Sequence, residues 1–330
     1  MTDLEVYLSH CISQISSSDY TQVQDGFQLI ESLFGKLCIL ANPNKSITQK
    51  KRPSSNVSQH SQFSSVSTST VSSDDFSPSS VSSSGIRKWR VPSLKDTVFG
   101  EYISLQNRFD YNIVNTILLV LLRAQHTRDH PTDTMTSCLK VLQGCLLLHP
   151  KSRDLFQREL NMTILIDFLK PSAPVQLLAN LIPALVSVLV RNVGNLRMFE
   201  KLEGPKRMCL LLTHKPKQNV NPQSWKEVQV KVLEFLFFYL IPETQKPQGS
   251  NSATVAKSSG SGIDVGASGS GSSDTNLDKS SSAVYADGHV RRTMQDKRKI
   301  LNQYLNVDIT EGLINELLES KPFGNMNTEW

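Results

Sequence analysis

Between Leu146 and Leu240 the chain states one pattern twice, with Ser152-Arg153-Asp154-Leu155-Phe156 answered by Asn195-Leu196-Arg197-Met198-Phe199. Each string belongs to a short helix that follows a long apolar one and a break. Phe156 and Phe199 stand 43 residues apart. Helical repeats of the armadillo and HEAT type run at about 40 to 47 residues, because a single unit cannot bury its apolar face and must stack on a neighbour. The spacing predicts an all-α, armadillo/HEAT-like α-α superhelix. Such solenoids present extended surfaces to partners rather than a catalytic pocket.

Outward from that block, helices are marked by their start and stop signals. Thr2-x-x-Glu5 is a capping-box pattern ahead of Leu4, Leu8, Cys11 and Ile15. Asp19 opens a second helix striped by Val23, Phe27, Ile30, Phe34 and Leu37, which Asn42-Pro43 stops. Ile113 to Leu122 is apolar on nearly every side and reads as a helix buried all round. A helix over 132–148 and another over 225–241 follow, and Pro183 predicts a kink within Leu177 to Val190. Near the end, Arg292 to Leu305 reads as one helix and the capping box Asp308-Ile309-Thr310-Glu311 opens another, with Ile309, Leu313, Ile314, Leu317 and Leu318 as its apolar face.

Two tracts interrupt the helices. Residues 54–84 are mostly serine, and residues 249–283 are rich in Gly, Ser, Ala and Asp. Neither can bury enough apolar area to offset backbone ordering at about 1–2 kcal/mol per residue. The expected organisation is a helical hairpin at 1–43, a disordered Ser-rich insertion at 44–96, repeats over 97–243, a disordered linker at 244–288 and capping helices over 289–330.

The net charge of +5 is concentrated in one place: residues 45–96 hold eight Lys or Arg against three Asp or Glu, leaving 27 of each sign elsewhere. A nucleic-acid-binding fold carries its positive charge on the folded face that meets phosphate. This distribution argues against that function and confines any electrostatic attraction to a flexible arm. The alternative, a transport or nucleic-acid adaptor working through that arm, predicts binding that weakens steeply with salt. The five cysteines, Cys11, Cys38, Cys138, Cys145 and Cys209, form no C-x-x-C pair and read as reduced core thiols. With no signal peptide at Met1-Thr2-Asp3 and no apolar run near 20 residues, a soluble intracellular protein is expected, with no membrane association and no cofactor.

Several strings resemble one family: Ser104-Leu105-Gln106-Asn107-Arg108-Phe109, Leu178 to Val186, Arg191 to Glu200, Val232-Leu233-Glu234-Phe235-Leu236-Phe237-Phe238-Tyr239-Leu240-Ile241-Pro242-Glu243 and Pro322-Phe323-Gly324. They are similar to the fungal cell division control protein 14 family, the septation initiation network component. The resemblance implies a non-catalytic partner of a germinal-centre-type protein kinase. It also implies action with other septation network proteins at the spindle pole body, in the cytoplasm. An unrelated dual-specificity phosphatase shares the name and needs an Arg six positions after its nucleophilic Cys. Here those positions hold Ser17, Asn44, Gly144, Lys151 and Lys215. The phosphatase reading fails on chemistry.

Three candidate sites remain. The basic stretch from Arg191 to Lys217 suits an acidic or phosphorylated partner segment, with Arg191, Asn192, Asn195, Arg197 and Lys201 as candidate contacts, although solvated helix ends and helix capping explain the same residues. Ser55, Ser77 and Ser93 fit kinase consensus patterns, Ser77 before a proline and the others three residues after Arg52 and Arg90. His126 and His130 are four apart, but Pro131 breaks the helix and no third metal ligand is evident.

Overall fold

The computed structural model describes residues 2–41, 92–127, 131–216, 221–243 and 289–320. Its elements are helices throughout, with no strand among the described residues. The Ser-rich and Gly/Ser-rich tracts, His130, Ser55 and Ser77 lie outside the described residues.

The chain opens with two antiparallel helices, α1 (Asp3–Ser16) and α2 (Tyr20–Leu40), capped by the side chains of Thr2 and Asp19. Three units of three follow. The first is α3 (Thr97–Gln106), α4 (Ile113–His126) and α5 (Thr132–Leu148). In the second, a 3-10 segment (Pro150–Gln157) takes the place of the short first helix, before α6 (Glu159–Ile166) and α7 (Val175–Leu189). The third is α8 (Val193–Lys201), α9 (Gly204–Thr213) and α10 (Pro222–Leu240). Two helices, α11 (Met294–Leu301) and α12 (Val307–Ser320), close the stack.

The long helices form one layer, α2 against α5, α5 against α7, α7 against α10 and α10 against α12. The second layer runs α1, α4, α6, α8 and α9, with α11 joining α9. Between the layers lies one continuous apolar core from Leu8 to Leu317. Phe156 and Phe199 occupy equivalent places in successive units, both fully buried. The 43-residue spacing thus joins two buried phenylalanines on adjacent segments of the stack.

Gly204 shows how tightly the third unit is packed. A Cβ added there would fall inside the ring of Phe199, whose edge lies against the start of α9. Pro205 sits in the first turn of that helix, where its missing N–H costs nothing.

Four expectations need correction. α4 is not buried all round, since Leu119 is 66% exposed: the helix lies in an outer layer and has one open side. α12 does not start at an Asp308 box. Asn306 caps it, its Oδ1 accepting the Asp308 N–H at 3.2 Å, while Thr310 is buried and donates back to the Asn306 carbonyl. Ile309 and Leu318 consequently face outward. Finally, α11 is shorter than the span from Arg292 to Leu305 and begins at a capping box formed by Thr293 with Asp296.

Candidate functional site

The first elements of the three units line up along one edge of the stack, and their polar side chains are joined in a chain of hydrogen bonds. Gln106, at the end of α3, donates to the Tyr111 carbonyl at 2.8 Å and accepts the Ile113 N–H at 3.1 Å. Asn112 caps α4 and donates to both the Gln106 carbonyl (2.7 Å) and Ser152 Oγ (3.1 Å). His149 Nδ1 lies 2.7 Å from Ser152 Oγ and its Nε2 lies 3.4 Å from Asn107 Oδ1. Because Asn107 Oδ1 can only accept, the tautomer assigned by this network carries its proton on Nε2, and Ser152 donates to Nδ1. Burial and the neighbouring Lys151 charge push the His149 pKa below its ordinary value. Both Ser152 and His149 are buried, so this Ser-His-Asn chain is a strut and not a nucleophile open to substrate.

Arg153 carries the ladder to the next unit. Its guanidinium donates to the Leu146 carbonyl at the end of α5 and to the Val190 carbonyl at the end of α7, each at 3.0 Å. Carbonyls at a helix C-terminus have no intrahelical partner, so one buried fork satisfies two helices at once. In the following unit Asn195 repeats the device. It is fully buried, and its amide donates to the Arg153 carbonyl (2.8 Å) and the Val188 carbonyl (2.7 Å).

That placement removes Asn195 from the residues able to meet a partner, because both its amide hydrogens are spent inside the stack. Asn192 caps α8 through the Asn195 N–H (2.9 Å) and donates to Asp154 Oδ1 (2.9 Å). Lys201 pairs with Glu159 at 2.5 Å in open solvent. Arg191 remains exposed in the turn after α7, its backbone in the left-handed region at φ 55°. That conformation favours glycine and costs another residue about 1 kcal/mol or more. Ser93 lies half-buried in the turn before α3, its N–H donating to Asp96 Oδ2 at 2.7 Å.

Arg197 belongs to a different construction, a buried cluster of charge joining α8 and α10 to the C-terminal helices. Its guanidinium meets Glu200 at 3.1 Å and Glu243 at 2.6 Å. Lys297, from α11, reaches Glu243 at 3.0 Å and the Ile241 carbonyl at 2.7 Å; both Lys297 and Glu243 are fully buried. Arg292 pairs with Glu200 at 3.1 Å, and its backbone exchanges hydrogen bonds with Glu243. Tyr239 donates to Glu200 at 2.8 Å beneath the Lys297 ammonium. Burial raises the Glu200 pKa and lowers that of Lys297, each shift opposed by the opposite charges alongside. Arg197 is thus a fastening between the two ends of the chain's last tract. A sequence reading takes Lys297, within Asp296-Lys297-Arg298-Lys299, for solvated charge; only its spacing of four from Leu301 hints at an inward position.

Among the described residues no group of His, Cys, Asp or Glu is arranged to hold a metal ion, and no helix is long and apolar enough to cross a membrane. Of the cysteines, Cys11, Cys138, Cys145 and Cys209 are buried, and desolvation lifts their thiol pKa values, to about 11 for Cys11 and about 12 for Cys209. These are not activated nucleophiles. Cys38 is half-buried.

The family described as "Cell division control protein 14, SIN component" matches residues 4–323, nearly the whole chain and every element above. The chain belongs to that family. Cell division control protein 14 of Schizosaccharomyces pombe (strain 972 / ATCC 24843) is 26% identical over 189 residues, covering 57% of this chain and 59% of the relative. The chain thus spans about three-fifths of the length of the curated relative it matches. No solved structure matches it. The family matched is the septation initiation network component, not the phosphatase of the same name, and the chain is a member of that cell-division family.

Proposed function

We propose that the protein is a non-catalytic adaptor of septation. It binds a germinal-centre-type protein kinase of the septation initiation network and promotes septum formation and cytokinesis at the spindle pole body. Family membership over residues 4–323 supports the septation role. The observation that carries the binding role is Arg191: an exposed arginine held in a left-handed turn that glycine would occupy without strain. The Arg191 side chain is exposed and forms no ion pair with another described residue, which leaves it open to a contact outside the molecule.

Lys151 and Arg158 lie exposed on the neighbouring 3-10 segment and α6 turn, and neither forms an ion pair with another described residue. With Arg191 they give the ladder edge an unpaired positive rim. The kinase docks on this edge, on our reading, through apolar anchors flanked by that charge, as hot-spot energetics favour. Phe109, at the same edge, is 80% exposed and supplies one such anchor.

The test uses Arg191→Gly in the full chain. Its expected effect is unchanged or improved stability with loss of kinase co-purification from mitotic cells. Undiminished recovery of the kinase, or recovery of none by the wild-type chain, overturns the reading.

A further inference from the structure

One cleft on the ladder edge has chemistry that the adaptor reading does not by itself specify. It lies between the end of α3 and the 3-10 segment, with a volume of about 270 Å³, and Asn107, His149, Lys151, Ser152, Asp154 and Arg158 line it. Its floor is fixed. Ser152 is held by His149 and Asn112, and one amide hydrogen of Asn107 goes to the Ile103 carbonyl at 3.0 Å. Asp154 accepts from Asn192 and Gln157 through Oδ1, at 2.9 and 3.3 Å, and keeps its negative charge at the cleft wall. What stays uncommitted is the Lys151 ammonium, the Arg158 guanidinium and the second Asn107 N–H. Two cations and a neutral amide donor thus line one polar recess, beside the single carboxylate of Asp154.

We propose that this cleft receives the phosphate of a phosphorylated serine or threonine on a partner polypeptide, with Lys151 and Arg158 as counter-charges and Asn107 as a hydrogen-bond donor. Charge complementarity supports the choice. A phosphomonoester carries about −1.5 to −2 charge at neutral pH, which the two cations offset in excess of the one Asp154 carboxylate, and arginine binds it bidentately. Size supports it too. The volume falls below the roughly 300–1,000 Å³ that drug-sized ligands occupy. It leaves room for a phosphoryl group on a side-chain stem. Phosphopeptide recognition by basic clusters works in this way: the phosphate supplies the switch and flanking residues the specificity. The proposal rests on the adaptor reading only in assigning the ligand to a partner.

The test is fluorescence anisotropy with the purified full chain and no kinase present. The probes are a degenerate pool of labelled peptides centred on phosphoserine or phosphothreonine, its unphosphorylated counterpart, and a peptide copying residues 70–84 with phosphorylated Ser77. The phosphorylated pool is expected to bind at least tenfold more tightly than the unphosphorylated one. Lys151→Ala with Arg158→Ala is expected to abolish that difference with helicity unchanged. Asn107→Asp, which sets a carboxylate in the cleft without removing either cation, is expected to do the same.

Equal binding of both pools, or wild-type binding by both variants, overturns the proposal. Binding confined to the residue 70–84 peptide overturns the assignment to a partner, and competition by inorganic phosphate with no peptide binding reduces the cleft to an anion site. Failure of the wild-type chain to recover the kinase, with phosphopeptide binding intact, strikes the adaptor reading alone.

Discussion

Replacing Lys297 by Met keeps the aliphatic stem and removes the charge that fastens α11 to the stack. Lys297 and Glu243 are both fully buried, 3.0 Å apart, and the ammonium also donates to the Ile241 carbonyl. Removing one partner of a buried ion pair costs about 3–5 kcal/mol, because the other is left uncompensated. Here Arg197 still holds Glu243 at 2.6 Å. That places the expected cost at the lower end, about 3 kcal/mol, part of it the unsatisfied Ile241 carbonyl. Because α11 and α12 close only one end of the stack, the loss is local. Urea unfolding gives the stability change, and amide hydrogen exchange locates it, with protection falling across Met294–Leu301 and Val307–Ser320 but kept in α5 and α7. The double variant Lys297→Met, Glu243→Gln is expected to cost less than the sum of the singles by at least about 1 kcal/mol. A single-variant cost below about 0.5 kcal/mol, the level of ordinary surface substitutions, or strict additivity, would refute the claim of a buried clasp.

Phe156→Ala and Phe199→Ala occupy equivalent places in successive units, so each is expected to destabilise by about 3–5 kcal/mol, with similar urea midpoints. Arg153→Met deletes the fork that caps α5 and α7 and is expected to cost about 2–4 kcal/mol; Arg153→Lys recovers less than half of it, since an ammonium cannot span both carbonyls as a planar fork does. For His149, whose folded pKa lies below 6.5, the unfolded chain binds more protons beneath that pH. Stability therefore falls as pH drops from 6.5 toward the depressed value, and His149→Gln flattens that slope in urea midpoints taken across the range. Gly204→Ala, which drives a methyl into the Phe199 ring, is expected to lower the melting temperature, and adding Phe199→Leu recovers part of the loss.

The helical scaffold was largely legible in the chain. Apolar periodicity, Asp19, Asn42-Pro43 and His149-Pro150 mark the ends of α2 and α5 because caps and prolines act locally. The 43-residue echo fell on two packed segments, where Phe156 and Phe199 are both buried. Legibility failed where long-range packing decides. Leu119 looks as apolar as its neighbours, and only its place in the outer layer exposes it. Asn306 outcompeted Asp308 as a cap because Thr310 is buried against the stack, a fact set by tertiary contact and not by the local motif.

The edge divided similarly. The basic stretch was visible, but its members parted once folded. Asn195 went to internal capping and Arg197 to the buried cluster, while Lys201 paired with Glu159 and Arg191 was left outside. The cleft around His149 was missed, since its residues come from two units separated by more than 40 positions and share no local motif. Ser152 and Asn195, 43 apart at the same place in the two strings, were the signal that polar residues recur with the echo.

The central claim is that this helical stack works as a docking platform in septation, with the Lys151, Arg158 and Arg191 rim meeting the partner. Its most direct test is quantitative affinity purification of the full chain from dividing cells, wild type against Lys151→Glu, Arg158→Glu, Arg191→Glu. The account predicts that the wild type recovers a germinal-centre-type kinase and that the triple variant, equally helical and equally stable, recovers little. Equal recovery by both would contradict it.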